Sequence, residues 1–166
     1  MSVVVSDTSP LHYLVLCGAE GLLPDLFRHI IITPTVFREL QQANTPPSMR
    51  QWAASLPDWV SVQSPKALNL TLNIDPGETE AISLAQEIHA AAILIDDRAG
   101  RRAAIQCGLA VVGTIGLLEL AAARDLIDLP AVIAKLRLTN VRLDPELMRA
   151  ALLRDQNRRP AGPISP

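Results

Sequence analysis

Aspartates follow two apolar segments of this chain, and their positions predict a shared acidic site. Asp7 directly follows the apolar run 3–6, and the pair Asp96 and Asp97 directly follows the run 93–95. In an open parallel sheet, ligands bind outside the carboxyl ends of the strands, at the point where the strand order reverses. Ionised carboxylates in one cleft repel one another, so such a cluster needs protons or a bound cation. The sequence therefore predicts a divalent-metal site.

The first of these acids also has a structural interpretation. Aspartate is favoured at helix N-caps, so Asp7 could simply cap the helix that follows the strand. In the functional interpretation Asp7 is a metal ligand, and the hydroxyl groups of Thr8 and Ser9 bond to its carboxylate and orient it.

The adjacent pair is harder to explain by capping alone. One N-cap needs only one of Asp96 and Asp97, so we expect one to point into the cleft and the other to cap or brace. We expect Asp97 to be the ligand and keep Asp96 as the alternative. Arg98 and Arg101 follow closely. They could face the scissile phosphate or neighbouring backbone, or simply balance the charge of the acids.

Three glutamates lie near helix starts or apolar stripes. The segment 75–78, Asp-Pro-Gly-Glu, matches a capping box, which gives Glu78 a structural role. Glu80 lies within about 40° of Leu84 around the helix axis, at the edge of the buried face. Glu39 lies at the border of the apolar stripe of its own helix. Taken alone, Glu39 and Glu80 fit surface charges as well as ligands.

Strands and helices alternate along the chain, which indicates a parallel sheet with both faces covered. The expected fold class is α/β. Helices are expected between the strands and after the last one, and the segment 64–74 is expected to be a loop. The chain carries neither the Rossmann glycine fingerprint nor a P-loop, so no nucleotide cofactor is indicated. Five short apolar runs predict the strands: 3–6, 30–32, 59–63, 93–95 and 109–112.

Length and composition indicate one globular domain. Hydrophobic residues make up 49% of the 166 residues, which fits a folded core. We expect a single domain over residues 1–155 and a disordered tail over 156–166. The formal net charge of −2 excludes a generic polyanion binder, so a nucleic-acid contact would need a local basic patch.

The expected compartment is the cytoplasm. Cys17 and Cys107 form neither a disulfide framework nor a zinc motif and are interpreted as reduced core residues. No targeting segment or membrane span is predicted. The histidines at 12, 29 and 89 have no partner spacing that indicates catalysis and are interpreted as structural.

Four segments, in this order, resemble the PIN-domain family, in particular the VapC-like predicted nucleases of prokaryotes. Together they lie between residue 3 and about residue 120, which is most of the chain. The segments are Val5-Ser6-Asp7-Thr8-Ser9-Pro10-Leu11, Thr33-Pro34-Thr35-Val36-Phe37-Arg38-Glu39-Leu40, Gly77-Glu78-Thr79-Glu80-Ala81-Ile82-Ser83-Leu84-Ala85 and Leu94-Ile95-Asp96-Asp97-Arg98-Ala99-Gly100-Arg101.

The resemblance implies a three-layer α/β/α sandwich with a central parallel sheet and an acidic pocket that binds Mg²⁺ or Mn²⁺. It implies metal-dependent hydrolysis of phosphodiester bonds, often in RNA, and thus an endoribonuclease that acts as the toxin of a toxin–antitoxin pair. It also implies self-association, here a homodimer, and a small antitoxin protein as partner. Carried over by position, the acids are Asp7, Glu39, Glu80 and Asp97.

The chain departs from common toxin members of that family at two places. Glu80 stands where many have aspartate, which gives a longer reach, and Asp96-Asp97 replaces a Thr-x-Asp ending. It therefore stays open which of the two aspartates binds metal. Thr114 could place a hydroxyl group near the pocket or simply cap the next helix.

Two other functions are considered. One is a catalytically inactive module of the same fold that binds RNA or an antitoxin. The other is a phosphoacceptor receiver-like domain, which needs an acid pair after its first strand and a lysine after a late one. Here the pair follows a late strand and the only lysines are Lys66 and Lys135, which argues against a receiver.

Overall fold

A computed structural model describes residues 2–159. The chain divides into two compact units, one formed by the residues up to Thr114 and one by the residues from Ile115 on. No helix in the described range is long and apolar enough to cross a bilayer.

The first unit is built on a parallel sheet of five strands in the order β3-β2-β1-β4-β5. The chain moves outward from β1 to β3 and then returns to the other side of β1, so the strand order reverses between β1 and β4. The predicted parallel sheet is confirmed. In chain order, the first strand matches its predicted run, the second is one residue longer, the third and fifth are each two residues shorter, and the fourth lies one residue earlier than the predicted strands. They are β1 (Val3–Ser6), β2 (His29–Ile32), β3 (Val60–Val62), β4 (Ala92–Leu94) and β5 (Val111–Val112).

Helices connect these strands, and several begin where the sequence predicts a cap. Thr33 accepts from the Val36 amide with Pro34 following, and Asp75 accepts from the Gly77 amide with Pro76 following. A proline at the first helical position costs no hydrogen bond, because that amide has no partner inside the helix. The helices of this unit are α1 (Thr8–Leu16), α2 (Leu22–Leu26), α3 (Pro34–Leu40), α4 (Pro47–Ala54), α5 (Pro76–Glu87) and α6 (Arg98–Gln106). The segment 64–74 contains neither helix nor strand, as predicted.

Both faces of the sheet are buried, as expected for parallel strands joined by helices. Val5, Ile31 and Ile93 lie in register across three strands and pack with residues of α5 and α6. Val4 and Ile30, which neighbour them along the strands, point to the other face and are fully buried too. The result is the α/β sandwich that the alternating pattern predicts.

Up to residue 159, the second unit contains α8 (Leu129–Arg137), α9 (Pro145–Arg158) and all of α7 (Thr114–Ala123) except its first residue. The predicted tail begins too early, because residues 156–158 form the last part of α9. Arg158 stabilises that helix end by donating to Asp155 and to the Ala122 carbonyl. The rest of the predicted tail, from residue 160 on, lies outside the described residues.

Candidate functional site

Asp7 lies at the point where the strand order reverses. Its backbone amide donates to the Leu94 carbonyl at 2.9 Å, which ties the end of β1 to the neighbouring strand β4. Asp7 occupies the N-cap position of α1, but its side chain makes no capping hydrogen bond. The capping interpretation therefore does not account for this carboxylate, although the residue is only 7% exposed.

The surroundings of Asp7 favour its protonated form. The pKa of Asp7 is raised to about 7, chiefly by burial. A hydrogen bond from the Thr8 backbone lowers the pKa, and the nearby carboxylates of Glu39, Asp75 and Asp96 raise it. A buried carboxylate among other acids binds a proton or a cation more readily than an exposed one. Asp7 therefore has the properties expected of an acid that holds a cation.

Asp96 has the bracing role that we expect for one of the two aspartates. Asp96 accepts from the Thr114 amide at 2.8 Å and from the Thr114 hydroxyl at 2.6 Å. Burial raises the pKa of Asp96, whereas the bonds from Thr114 and the charge of Arg101 lower it. Thr114 is fully buried, so its hydroxyl group serves this brace.

Asp97 caps α6 and also faces the other acids. One carboxylate oxygen accepts from the amides of Ala99 and Gly100 at 2.8 and 3.0 Å. The same side chain is hydrogen-bonded to Glu78. Asp97 is exposed, so it can meet a ligand from solvent while its position is fixed by the helix. Its assignment as a metal ligand stays a prediction that this geometry favours.

Glu78 belongs to the acidic cluster, and the sequence analysis missed it. The expected capping box does not form, because Glu78 is hydrogen-bonded to Asp97 and not to the backbone of Asp75. The pKa of Glu78 is raised to about 7. Burial is the largest cause, and the negative charges of Asp97, Asp7 and Asp75 raise the pKa further. A signal was present in the sequence: α5 leads into β4, so its first turn must lie at the carboxyl edge of the sheet.

Gly100 makes room for the Glu78 side chain. A Cβ atom at this position would lie 2.8 Å from the Glu78 carboxyl carbon and would also collide with Ile95. Real Cβ atoms do not approach other heavy atoms so closely. The glycine on α6 therefore allows the first turn of α5 to bring its acid to Asp97.

Glu39 borders the cluster from α3. The Thr8 hydroxyl group donates to its Oε2 atom, so the prediction that this hydroxyl bonds to Asp7 is wrong. The hydroxyl group of Ser9, also expected to orient Asp7, makes no hydrogen bond with any residue between 2 and 159. A Cβ atom on Gly77 would lie 3.0 Å from the Oε1 atom of Glu39, so a side chain there would require the Glu39 carboxylate to shift slightly.

Glu80, the remaining predicted acid, points elsewhere. Its Oε2 atom accepts from the backbone amide of Thr35 at 3.0 Å, in the first turn of α3. Anions are stabilised at helix N-termini, so this contact holds α5 against the helix that carries Glu39. The structure thus brings Asp7, Glu39 and Asp97 together with Glu78 and places Glu80 at the border.

The two predicted arginines differ in what they can do. Arg101 donates to the Ile95 carbonyl at 3.1 Å and lies against Gly113, where a Cβ atom would be 2.5 Å from its Nη1 atom. It is therefore held as the counter-charge of Asp96. Arg98, in contrast, is exposed and makes no ion pair within residues 2–159, so its charge is available to a ligand.

The donor chemistry of this site fits Mg²⁺ or Mn²⁺. Both are hard cations that prefer carboxylate oxygens, and Asp7, Glu78 and Asp97 supply them without nitrogen or sulfur ligands. No three histidine, cysteine or acidic side chains of the described range are arranged to hold one ion together. Mg²⁺ in proteins commonly uses one or two carboxylates and keeps several waters, so the site fits a water-rich ion.

Comparisons with known proteins agree with this architecture. Residues 3–156 match the family model DUF3368, a PIN domain. Among solved structures, the chain is similar to a PilT N-terminus domain protein from the hyperthermophilic archaeon Sulfolobus solfataricus, with a TM-score of 0.52 and 17% identity. That match covers 72% of this chain and 92% of the other, and at this identity it shows the fold. A search of curated proteins finds no significant match.

Proposed function

From the membership of this chain in the PIN-domain family we propose that it is a divalent-metal-dependent ribonuclease that hydrolyses RNA phosphodiester bonds. The family typically includes metal-dependent nucleases. One observation carries the proposal for this chain: Asp7, Glu78 and Asp97 meet where the strand order reverses, and the pKa values of Asp7 and Glu78 are raised to about 7. Carboxylates that repel one another in this way are stabilised by a cation.

Asp7 and Asp97 would hold the cation, with Glu78 and Glu39 beside them. When bound, a divalent cation supplies positive charge that polarises the phosphoryl group and lowers the pKa of a coordinated water. Asp7 and Glu78 release their protons as the site fills, because a nearby positive charge favours the ionised carboxylates.

Residues around the acids bind and orient the substrate in this proposal. Arg98 meets a phosphate oxygen of the RNA backbone, which a guanidinium group recognises by paired hydrogen bonds. Asp96 does not touch the substrate and instead fixes the strand end through Thr114. Thr8 fixes the direction of the Glu39 carboxylate.

Cleavage of a structured RNA pool tests the proposal. Purified protein is incubated with Mg²⁺, Mn²⁺ or EDTA, beside Asp7→Asn, which keeps the volume of the side chain and removes its charge. We expect metal-dependent cuts in the wild type and at least about a 100-fold loss of rate in the variant, because a ligand to the catalytic ion is removed.

Cuts that persist in Asp7→Asn would overturn the assignment of the site. A folded wild-type protein that cuts no RNA with any metal would favour the inactive module that binds RNA or a partner. Circular dichroism of both proteins establishes that they are folded.

We also propose that the chain acts as the toxin of a toxin–antitoxin pair, as a homodimer held inactive by a small protein. The support is the resemblance to VapC-like nucleases. Expression of the chain alone should then arrest growth, and Asp7→Asn should not. Light scattering of the purified protein should give the mass of two chains, and a monomer would contradict the dimer.

A further inference from the structure

A cavity of about 310 Å³ lies directly beside the acidic site. Thr8 and Glu39 belong to its wall and also border the acids, so the cavity is continuous with the place where cleavage is proposed. The rest of its wall comes from α1 and from the loop after α3. The lining residues are Thr8, His12, Glu39, Gln42, Asn44 and Thr45.

The lining suits an uncharged planar ligand better than a phosphate group. It contains no lysine or arginine, and Glu39 is an acceptor that would repel an anion. The other groups are hydroxyls, side-chain amides and an imidazole, which both donate and accept hydrogen bonds. Such a mixture matches the edge of a nucleobase, where donors and acceptors alternate.

His12 lies in the wall of this cavity and carries a buried nitrogen atom. Its Nε2 atom is buried and has no hydrogen-bond partner within residues 2–159. Burial lowers the pKa of His12, so the ring is neutral at neutral pH and can accept as well as donate. Buried polar atoms in native proteins are nearly always satisfied, and this one is closed to solvent, so the ring would have to turn before a ligand in the cavity could reach it.

The loop that carries the amides has a fixed backbone and free side chains. The Thr45 hydroxyl donates to the Glu39 carbonyl at 3.0 Å, and the Thr45 amide donates to the Gln42 carbonyl at 2.9 Å. The side chains of Gln42 and Asn44 are exposed and make no hydrogen bond with the part of the chain described here. Because the backbone of the loop is already held, ligand binding needs to order only these two side chains.

We propose that this cavity binds one unpaired nucleobase of the RNA substrate, next to the scissile phosphate, and selects a base that carries an exocyclic amino group. Glu39 accepts from that amino group, and Gln42 and Asn44 read the remaining edge. Sequence-specific recognition of RNA depends on unpaired bases bonded along their edges in this way. The inference rests on the proposed function and adds a base preference to it.

Binding is tested first without chemistry. The 5′-monophosphates of cytidine, guanosine, adenosine and uridine are titrated into ¹⁵N-labelled protein in EDTA and followed by NMR. We expect nucleotides with an amino group to bind roughly 3- to 10-fold tighter than uridine monophosphate, the effect of one or two hydrogen bonds. Shifts should appear at residues 42–45 and not at the far side of the sheet.

Single substitutions then assign the binding to the cavity. Gln42→Ala and Asn44→Ala should each weaken binding of the preferred nucleotide roughly 3- to 10-fold. Gln51→Ala is the matched control, because Gln51 is equally exposed but lies on α4 outside the lining. Equal affinity for all four nucleotides, or equal affinity in the three variants, would overturn the inference.

Cleavage mapping separates this inference from the proposed function. If the wild type cuts RNA, its sites should share an amino-bearing base at one position, and Asn44→Ala should relax that preference. Cutting with the same pattern in wild type and Asn44→Ala would overturn the inference and leave the ribonuclease standing. If the protein cuts no RNA but binds nucleotides, and the cavity substitutions weaken that binding, the result would support base binding in the cavity and contradict the proposed ribonuclease activity.

Discussion

At the scale of single residues, the site is set by carboxylates that lack their usual capping or surface roles. Asp7 stands at an N-cap position without capping, and Glu78 stands at a capping-box position without closing the box. Asp96, in contrast, is fully engaged by Thr114. Asp7 and Glu78 are therefore free to take part in the proposed chemistry, and Asp97 joins them although it also caps α6.

Replacing Thr114 with valine should destabilise the protein. The change keeps the shape of the side chain but leaves the Oδ2 atom of Asp96 without its hydroxyl partner. An unsatisfied buried acceptor costs about 1–3 kcal/mol in the free energy of unfolding. Urea unfolding at pH 7 measures the loss, and a variant as stable as the wild type would contradict the bracing role of Asp96.

Sequence reasoning at this scale located the acids at strand ends and misjudged the two glutamates of α5. Asp7 and Asp97 follow buried strands, and strand ends in a parallel sheet have a known location. Glu78 and Glu80 lie two positions apart on α5, about 200° around the helix axis. Which of them faces the strand ends depends on the rotation of α5, and that rotation is fixed by contacts with α3 and α6 that the sequence does not reveal.

At the scale of elements, the two glutamates of α5 have different roles, because Glu78 faces the acidic site and Glu80 bonds to the first turn of α3. We expect Glu78→Gln to lower kcat for RNA cleavage by at least about 100-fold, because Glu78 faces Asp7 and Asp97. We expect Glu80→Gln to lower it less than about 10-fold, because the amide oxygen still accepts from Thr35. Steady-state kinetics on one defined RNA measures both, and the reverse ranking would restore Glu80 as the catalytic acid.

The contact between α5 and α6 depends on glycine. We expect Gly100→Ala to lower the free energy of unfolding by about 1–3 kcal/mol, because the added methyl group collides with Ile95 and Glu78. At an exposed helix position the same change would stabilise by up to about 1 kcal/mol. Gly21→Ala is the control, because no atom lies within 4 Å of its Cβ position and its φ is −61°. Equal stability of the two variants would contradict the packing argument.

Element types and their order followed from the sequence more readily than their ends did. Buried β-branched runs indicated the strands, and Thr33-Pro34 and Asp75-Pro76 marked two helix starts correctly. The end of α9 was missed, since residues 156–158 read as a polar tail. Arg158 and Arg159 pair with Asp155, which is largely buried, and these ion pairs keep the last turn helical.

At the scale of the whole molecule, the acidic site makes stability depend on pH. The pKa of Asp7 is 3.8 in the unfolded chain and about 7 in the folded one. Between those values the folded state holds a proton that the unfolded state has lost, so the free energy of unfolding falls as pH rises. The slope is up to about 1.4 kcal/mol per pH unit for each such group.

Metal-free protein should therefore be less stable at pH 8 than at pH 5. The contribution of Asp7 is complete at low pH and is lost as pH rises through about 7. Between pH 5 and pH 8, the free energy of unfolding of Asp7→Asn should fall by about 2–3 kcal/mol less than that of the wild type, because asparagine does not ionise. Urea unfolding in EDTA at the two pH values measures the difference. An equal loss in both proteins would contradict the raised pKa.

The missing side chain at position 100 also has a consequence over evolutionary time. Because the Glu78 carboxyl group fills the space that a side chain at 100 would need, the two positions are not free to vary separately. A lineage that keeps an acid at 78 is expected to keep glycine at 100. Glycine at 100 together with the acid at 78 would then mark the descendants that inherited this arrangement of acids.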